Sequence, residues 1–165
     1  MHTAYLAFGA NLGDCFATFR AARACLAKAE GVRVDGASSL YRTEAVGGPP
    51  GQPPYLNAVL RVATELSPEK LLALGLDLEA RFGRRRLEPW GPRTLDIDLL
   101  LYDDLLRAGP ELTLPHPRLY QRRFVLAPLA ELAADLRHPL LDRTIGELLA
   151  ELDDPAGVQP LPDPW

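Results

Sequence analysis

The chain opens on an apolar run, Thr3 to Gly9 ("TAYLAFG"), whose length predicts a β-strand. The apolar positions then change to a spacing of three and four. Cys15, Phe19, Ala22, Leu26 and Ala29 fall on one face of a helix that Asp14 can cap. "VRVDGASSLYRT" and "YLNAVLRVAT" read as two further strands. A second helix is predicted with Ser67 as its cap and Pro68 in its first position. Its buried stripe is Leu71, Leu74 or Gly75, Leu78 and Phe82, and Gly83 is its stop. Another strand runs from Leu95 to Tyr102, and helical spacing returns in "RLYQRRFVLAPLAELAADL" and briefly near "TIGELLAEL". Strand, helix, strand, strand, helix, strand is the order of a split βαβ unit. The expected fold class is therefore α+β, a ferredoxin-like antiparallel sheet with helices mainly on one face and the other face free for ligands.

Two proline-rich pieces interrupt this pattern. "GGPPGQPP" (Gly47 to Pro54) is too long for a tight hairpin turn and is expected to form a lid beside the sheet. "PAGVQPLPDPW" (155–165) reads as a surface tail on a single domain spanning 1–165.

The strand in "WGPRTLDIDLLLYD" carries the first chemical signal. Alternation puts Leu95, Ile97, Leu99 and Leu101 on one face and Asp96, Asp98, Leu100 and Tyr102 on the other. Two carboxylates then point the same way, roughly 7 Å apart along the strand. Like charges this close on a half-buried sheet call for a positive neighbour, either a metal ion or arginines.

Composition narrows the partners. With 165 residues, 47% hydrophobic and 24% charged, the chain can bury one proper core. A net charge of -4 and a pI near 5.4 argue against a general nucleic-acid or anionic-membrane binder. No basic leader precedes the first strand and no run approaches the ~18 apolar residues of a membrane span, so a cytoplasmic protein is expected. Cys15 and Cys25 lie ten residues apart on the first helix, about 15 Å, too far for a disulfide. They read as small apolar residues in a reducing compartment.

Against this acidic background the cations are concentrated. "RFGRRRLEPWGPR" supplies Arg81, Arg84, Arg85, Arg86 and Arg93 before the aspartate strand, and "LPHPRLYQRRF" supplies His116, Arg118, Arg122 and Arg123 after it. A solvated arginine face is the plain reading of either set alone. Flanking an aspartate pair, they suit phosphate oxygens, which arginine's planar fork grips in pairs. Carboxylates for a hard cation and arginines for phosphates amount to a site for a magnesium-bound nucleotide. No Walker sequence, dinucleotide glycine motif or kinase catalytic loop is present, so side chains would hold the phosphates.

At this point the chain resembles the 6-hydroxymethyl-7,8-dihydropterin pyrophosphokinases of folate biosynthesis. The matching pieces are "FGANLGD", "SSLYRT", "PPYLNAV", "GRRR", "WGPRTLDIDLLLYD" and "LPHPRLYQRRFVLAPLAEL", in the family's order over residues 3 to 135. The resemblance implies the ferredoxin-like fold and transfer of pyrophosphate from ATP to the hydroxymethyl group of the dihydropterin, releasing AMP. It implies two magnesium ions on Asp96 and Asp98, and catalytic roles for these two with Arg84 and Arg93. It places Arg84, Arg86, Arg93, His116 and Arg122 on the nucleotide phosphates, with Glu79, Thr113 and Trp90 as further ATP contacts. Trp90 and Phe124 align with an aromatic pair that sandwiches the pterin. Asn57 would read the pterin's edge, Thr43, Val46 and Tyr55 would line its pocket, and Asp96 would also reach it. No general base is assigned, and a monomer is expected. His2 and His138 match nothing. The chain departs from the family pattern at Ala10, Glu44 and Leu76, none of them on the metal or phosphates. Two rival classes are a ferredoxin-like RNA-binding or regulatory module, disfavoured by acids where a basic stacking face is needed, and another metal-dependent nucleotidyl or phosphoryl transferase.

Overall fold

The computed structural model describes residues 1–44, 50–82, 94–153 and 157–165. Strand β1 (His2–Ala10) runs antiparallel between β4 (Tyr55–Thr64) and β5 (Asp96–Tyr102). The expected strand "VRVDGASSLYRT" is bent into β2 (Val32–Ala37) and β3 (Leu40–Thr43), which pair with successive parts of β4. Ser38 makes the bend: its hydroxyl accepts from Val59 N at 2.9 Å and donates to Ser39 O at 2.8 Å. Side-chain bonds of this kind satisfy backbone groups that a continuous ladder would have paired.

The first two helices form where their caps predict. Asp14 accepts from Ala17 N at 3.0 Å and starts α1 (Cys15–Lys28), which buries Phe19, Ala22 and Leu26. Ser67 accepts from Lys70 N at 3.2 Å and starts α2 (Pro68–Arg81). Gly75, not Leu74, occupies the buried position of α2, because a Cβ there would already touch Ile97 Cγ2 at 3.4 Å. The predicted stop at Gly83 lies outside the described residues.

Both helices cover the sheet face of Ala4, Leu6 and Phe8 of β1 and Ala58, Leu60 and Val62 of β4. The α+β antiparallel sheet is the expected one, and the later helices add cover to part of its second face. Tyr5, Val59, Leu100 and Leu101 form a second core with Val125, Leu126 and Leu129 of α3 (Arg123–Ala133) and Ile145 and Leu148 of α4 (Ile145–Glu151). These apolar stripes have only the opposite face left to cover, and they cover one end of it. The other end, around Gly9, Asn57 and Asp96, keeps the polar site residues.

A β-bulge corrects the alternation of β5. Leu6 pairs with Leu99 but Tyr5 pairs with Leu101, so Leu100 is an extra residue. Leu95, Ile97 and Leu99 face the first core as predicted; beyond the bulge Leu101 joins Leu100 in the second, and Tyr102 turns back to the first. The chain end is also more than a tail. β8 (Val158–Leu161) pairs with β3, and Trp165 packs against Phe8 and Phe19. A small hairpin, β6 (Arg107–Ala108) with β7 (Thr113–Leu114), precedes the segment that leads into α3.

Candidate active site

Alternation along β5 ahead of the bulge turns the two aspartates away from the first core. Asp96 and Asp98, half-buried, sit opposite Gly9 and Ala7 of β1 on the face left open by α3 and α4. Between them, the Ile97 N–H donates to Glu79 Oε2 at 2.9 Å, and Glu79 itself is 5% exposed. A buried carboxylate on α2 thus pins the backbone that carries both aspartates. The bulged Leu100 carbonyl accepts from His116 N at 2.9 Å, which draws the segment after β7 across the same strand.

That segment brings the cations. The His116 ring Nδ1 accepts from Arg118 N at 3.2 Å, so the neutral ring carries its proton on Nε2. Burial lowers the His116 pKa from its ordinary value, Asp98 opposes that shift, and Arg122 and Arg118 add to it. The ring is therefore neutral at pH 7. Burial also lowers the Arg122 guanidinium, with Asp98 pulling it back up, Arg118 pushing it down and Asp96 again raising it. An arginine keeps its charge through such shifts. The same guanidinium carbon lies 5.6 Å from the Phe124 ring centroid, a cation–π distance that fixes the aromatic beside the cation at the start of α3.

Across the sheet lies a second polar group. Asn57 sits opposite Gly9 on β1 and opposite Tyr41 on β3, and its Nδ2 donates to Thr43 Oγ1 at 2.9 Å in a buried bond. Tyr55 pairs with Thr43 one step further along. Asp96, Gly9 and Asn57 therefore form one row, with the Asp96 and Asn57 backbones about 10 Å apart across two strand spacings. Gly9 is the floor between them: an added Cβ would stand 3.3 Å from Asn57 Oδ1.

Of the residues expected at the site, Asp96, Asp98, Asn57, Thr43, Tyr55, His116, Arg122 and Phe124 are gathered by the fold on one face. Thr113 sits exposed on the small hairpin, its hydroxyl donating to Gly109 O at 3.4 Å. Val46, Arg84, Arg86, Trp90 and Arg93 lie outside the described residues. Two positions were missed. Gly9 could have been found, since glycine inside an apolar strand marks a close approach. Asn11, 2% exposed, donates through Nδ2 to Gln52 Oε1 and Pro53 O, both at 3.1 Å, tying the end of β1 to the root of the proline-rich segment. Its sequence signal, a polar residue directly after an apolar strand, is no different from that of an ordinary turn.

A two-carboxylate set suits magnesium, which keeps several waters and takes its remaining ligands from substrate phosphates. Among the described residues no group of three or more His, Cys, Asp or Glu converges into a self-sufficient metal site. Paired carboxylates, a half-buried arginine and a hydrogen-bonding floor on an antiparallel α+β sheet are the outline of a phosphotransferase.

The comparisons make the class specific. Residues 5–134 match the family 7,8-dihydro-6-hydroxymethylpterin-pyrophosphokinase (HPPK), and the chain belongs to it. It is 43% identical over 152 residues to the 2-amino-4-hydroxy-6-hydroxymethyldihydropteridine pyrophosphokinase of Synechocystis sp., covering 92% of this chain and 77% of that one. It is also 43% identical over 159 residues to the enzyme of the same name from Methylorubrum extorquens, covering 96% and 98%. The fold matches a crystal structure of Plasmodium falciparum HPPK-DHPS with a TM-score of 0.68 at 14% identity, over 91% of this chain and 43% of that longer one. The protein is a pyrophosphokinase of folate biosynthesis that uses Mg-ATP to pyrophosphorylate 6-hydroxymethyl-7,8-dihydropterin.

Proposed function

We propose that the open end of the second sheet face divides the reaction between its two edges. Asp96 and Asp98 on β5 hold two magnesium ions on the ATP triphosphate, with Asp96 also near the pterin. Arg122 and the neutral His116, as an Nε2–H donor, bind phosphate oxygens. Arg84, Arg86 and Arg93, assigned from the "GRRR" and "WGPR" motifs, close the phosphate shell; Glu79, Thr113 and Trp90 complete the nucleotide side. Thr43, Val46, Tyr55, Asn57, Trp90 and Phe124 hold the pterin. The Asn57 bond to Thr43 occupies one amide N–H and orients the carboxamide, whose oxygen and second N–H suit the hydrogen-bonding edge of a flat heterocycle. Phe124 offers a ring face to that heterocycle.

The observation that carries this reading is the single row Asp96, Gly9, Asn57, which separates a carboxylate edge from a carboxamide edge by a side-chain-free floor. Magnesium, when bound, neutralises charge that develops on the triphosphate as the pterin hydroxyl attacks the β-phosphorus. The residues supply alignment and electrostatic stabilisation, and the transfer needs little else from the protein. We further infer a cytoplasmic location, in keeping with the acidic chain, and a monomer, as the family resemblance implies. Titration calorimetry with magnesium and a non-hydrolysable ATP analogue tests the site: Asp96→Asn and Asp98→Asn should weaken magnesium-dependent nucleotide binding. Unchanged binding and turnover in both variants would remove the assignment.

A further inference from the structure

The chain end is bound into the site's pterin half at two points. Val158, Gln159, Pro160 and Leu161 of β8 pair antiparallel with Thr43, Arg42, Tyr41 and Leu40 of β3. Four residues on, Trp165 Nε1 donates to Ser38 O at 2.8 Å, at the bend that launches β3. The indole is held there by Phe8 and Phe19, both 5.6 Å from it between ring centroids, and by the Arg23 guanidinium 5.2 Å from its centroid. Pro160, with no N–H to give, suits β8 to the outer edge of the sheet, where no further strand pairs among the described residues.

β3 is only four residues long and ends at Thr43, after which Glu44 is exposed. Such a strand at a bare edge frays, because each backbone bond it makes is open to water on one side. Thr43 is 6% exposed and receives the Asn57 carboxamide, so its position along the strand decides where that carboxamide sits. The inner ladder to β4 fixes one side of β3, and β8 with its tryptophan anchor fixes the other. The aspartates lie on β5, at the opposite edge of the sheet, and are pinned separately by Glu79.

From this we infer that Val158–Trp165 is a positioning element for the pterin, with Trp165 its anchor, acting through β3 on Thr43 and Asn57 and leaving the nucleotide edge untouched. The inference rests on the assignment of Thr43 and Asn57 to the pterin, so the test separates the two. In the full chain, Trp165→Ala should raise the KM for the dihydropterin about tenfold at saturating Mg-ATP, while the KM for ATP stays within about twofold and kcat within about threefold. Hydrogen exchange at Leu40 to Thr43 should speed up in parallel. A folded Trp165→Ala protein with an unchanged pterin KM overturns the inference. If that variant does not fold, Trp165→Phe keeps a packed ring while losing the N–H to Ser38 O and part of the indole's volume; about a threefold rise in pterin KM and faster exchange in β3 are then expected, and no change in either sinks the idea. Thr43→Val in the full chain checks the underlying assignment. No effect there removes the assignment itself, whereas a Thr43 effect beside a silent Trp165 variant removes only the role of the chain end.

Discussion

At the scale of single residues, Gly9 matters for the side chain it lacks. Any Cβ at that position stands 3.3 Å from Asn57 Oδ1, and a larger group would fill the floor between the two halves of the site. Gly9→Val suits a strand backbone and should leave the fold intact. It should raise the dihydropterin KM by roughly tenfold, the equivalent of one or two displaced hydrogen bonds, as steady-state kinetics would measure. Asp98→Asn acts at the other edge. Removing one carboxylate from the proposed metal pair should lower turnover by on the order of 10³ with an unchanged circular dichroism spectrum, since metal-assisted charge stabilisation is worth several kcal/mol. Loss of the spectrum would instead mark the aspartate as structural. Arg93→Lys should also be damaging, because an ammonium cannot copy a forked contact to two phosphate oxygens, while Arg85→Ala should do little; equal losses in an ATP KM comparison would point to a diffuse basic surface.

Among the elements, the short turn before α4 is governed by a histidine that the sequence reading set aside. His138 is 4% exposed, and its Nδ1 accepts from Leu140 N and Leu141 N, both at 3.2 Å. The His138 backbone N–H donates to Arg143 O at 2.8 Å, and Thr144 with Glu147 then closes a capping box on α4. Burial lowers the His138 pKa below its ordinary value. The neutral form is thus the one the fold favours. Its stabilisation is fully present above the unfolded-state pKa of about 6.5 and is lost as pH falls through the lower folded value. Urea titrations between pH 7.5 and pH 5 should show falling stability, and His138→Gln should flatten that slope; an equal slope in both proteins would mean that other groups govern the acid limb.

Among the described residues the six-stranded sheet carries a hydrophobic core on each face, and the second core supports the site. Leu126, fully buried, joins α3 to the sheet face beside the open end, and α3 also presents Arg122 and Phe124 at its start. Leu126→Ala should cost about 2–5 kcal/mol, read from denaturant unfolding. α3 is tied down a second time by Glu131, which accepts from Ser39 N, Ser39 Oγ and the Tyr41 hydroxyl. A ligand that binds only the folded state should offset part of the Leu126→Ala loss. At a hundred times its Kd, an ATP analogue with magnesium adds about 2.7 kcal/mol by mass action.

Much of this was legible in the order of the residues. Caps at Asp14 and Ser67 start helices wherever the chain leads, because they satisfy local N–H groups. Period-two alternation placed Asp96 and Asp98 on one face because strand geometry is local, and the "WGPRTLDIDLLLYD" run carried the family. What tertiary structure alone decided is whatever depends on residues far apart in sequence. The extra residue at Leu100 exists only against the register of β1, and it turned Leu101 and Tyr102 away from the faces that alternation gave them. The stripes of α3 and α4 show that they need a partner surface, but only the prior occupation of the first face by α1 and α2 sends them to the second. The proline-rich chain end reads as a loose tail by composition; it becomes a strand because β3 offers an unpaired edge and Phe8 and Phe19 leave room for Trp165. Gly9 gains its meaning only when the pairing brings Asp96 and Asn57 to either side of it. Hydrophobic period and capping are properties of a few neighbouring residues, whereas register, choice of face and edge pairing are free-energy comparisons between whole surfaces.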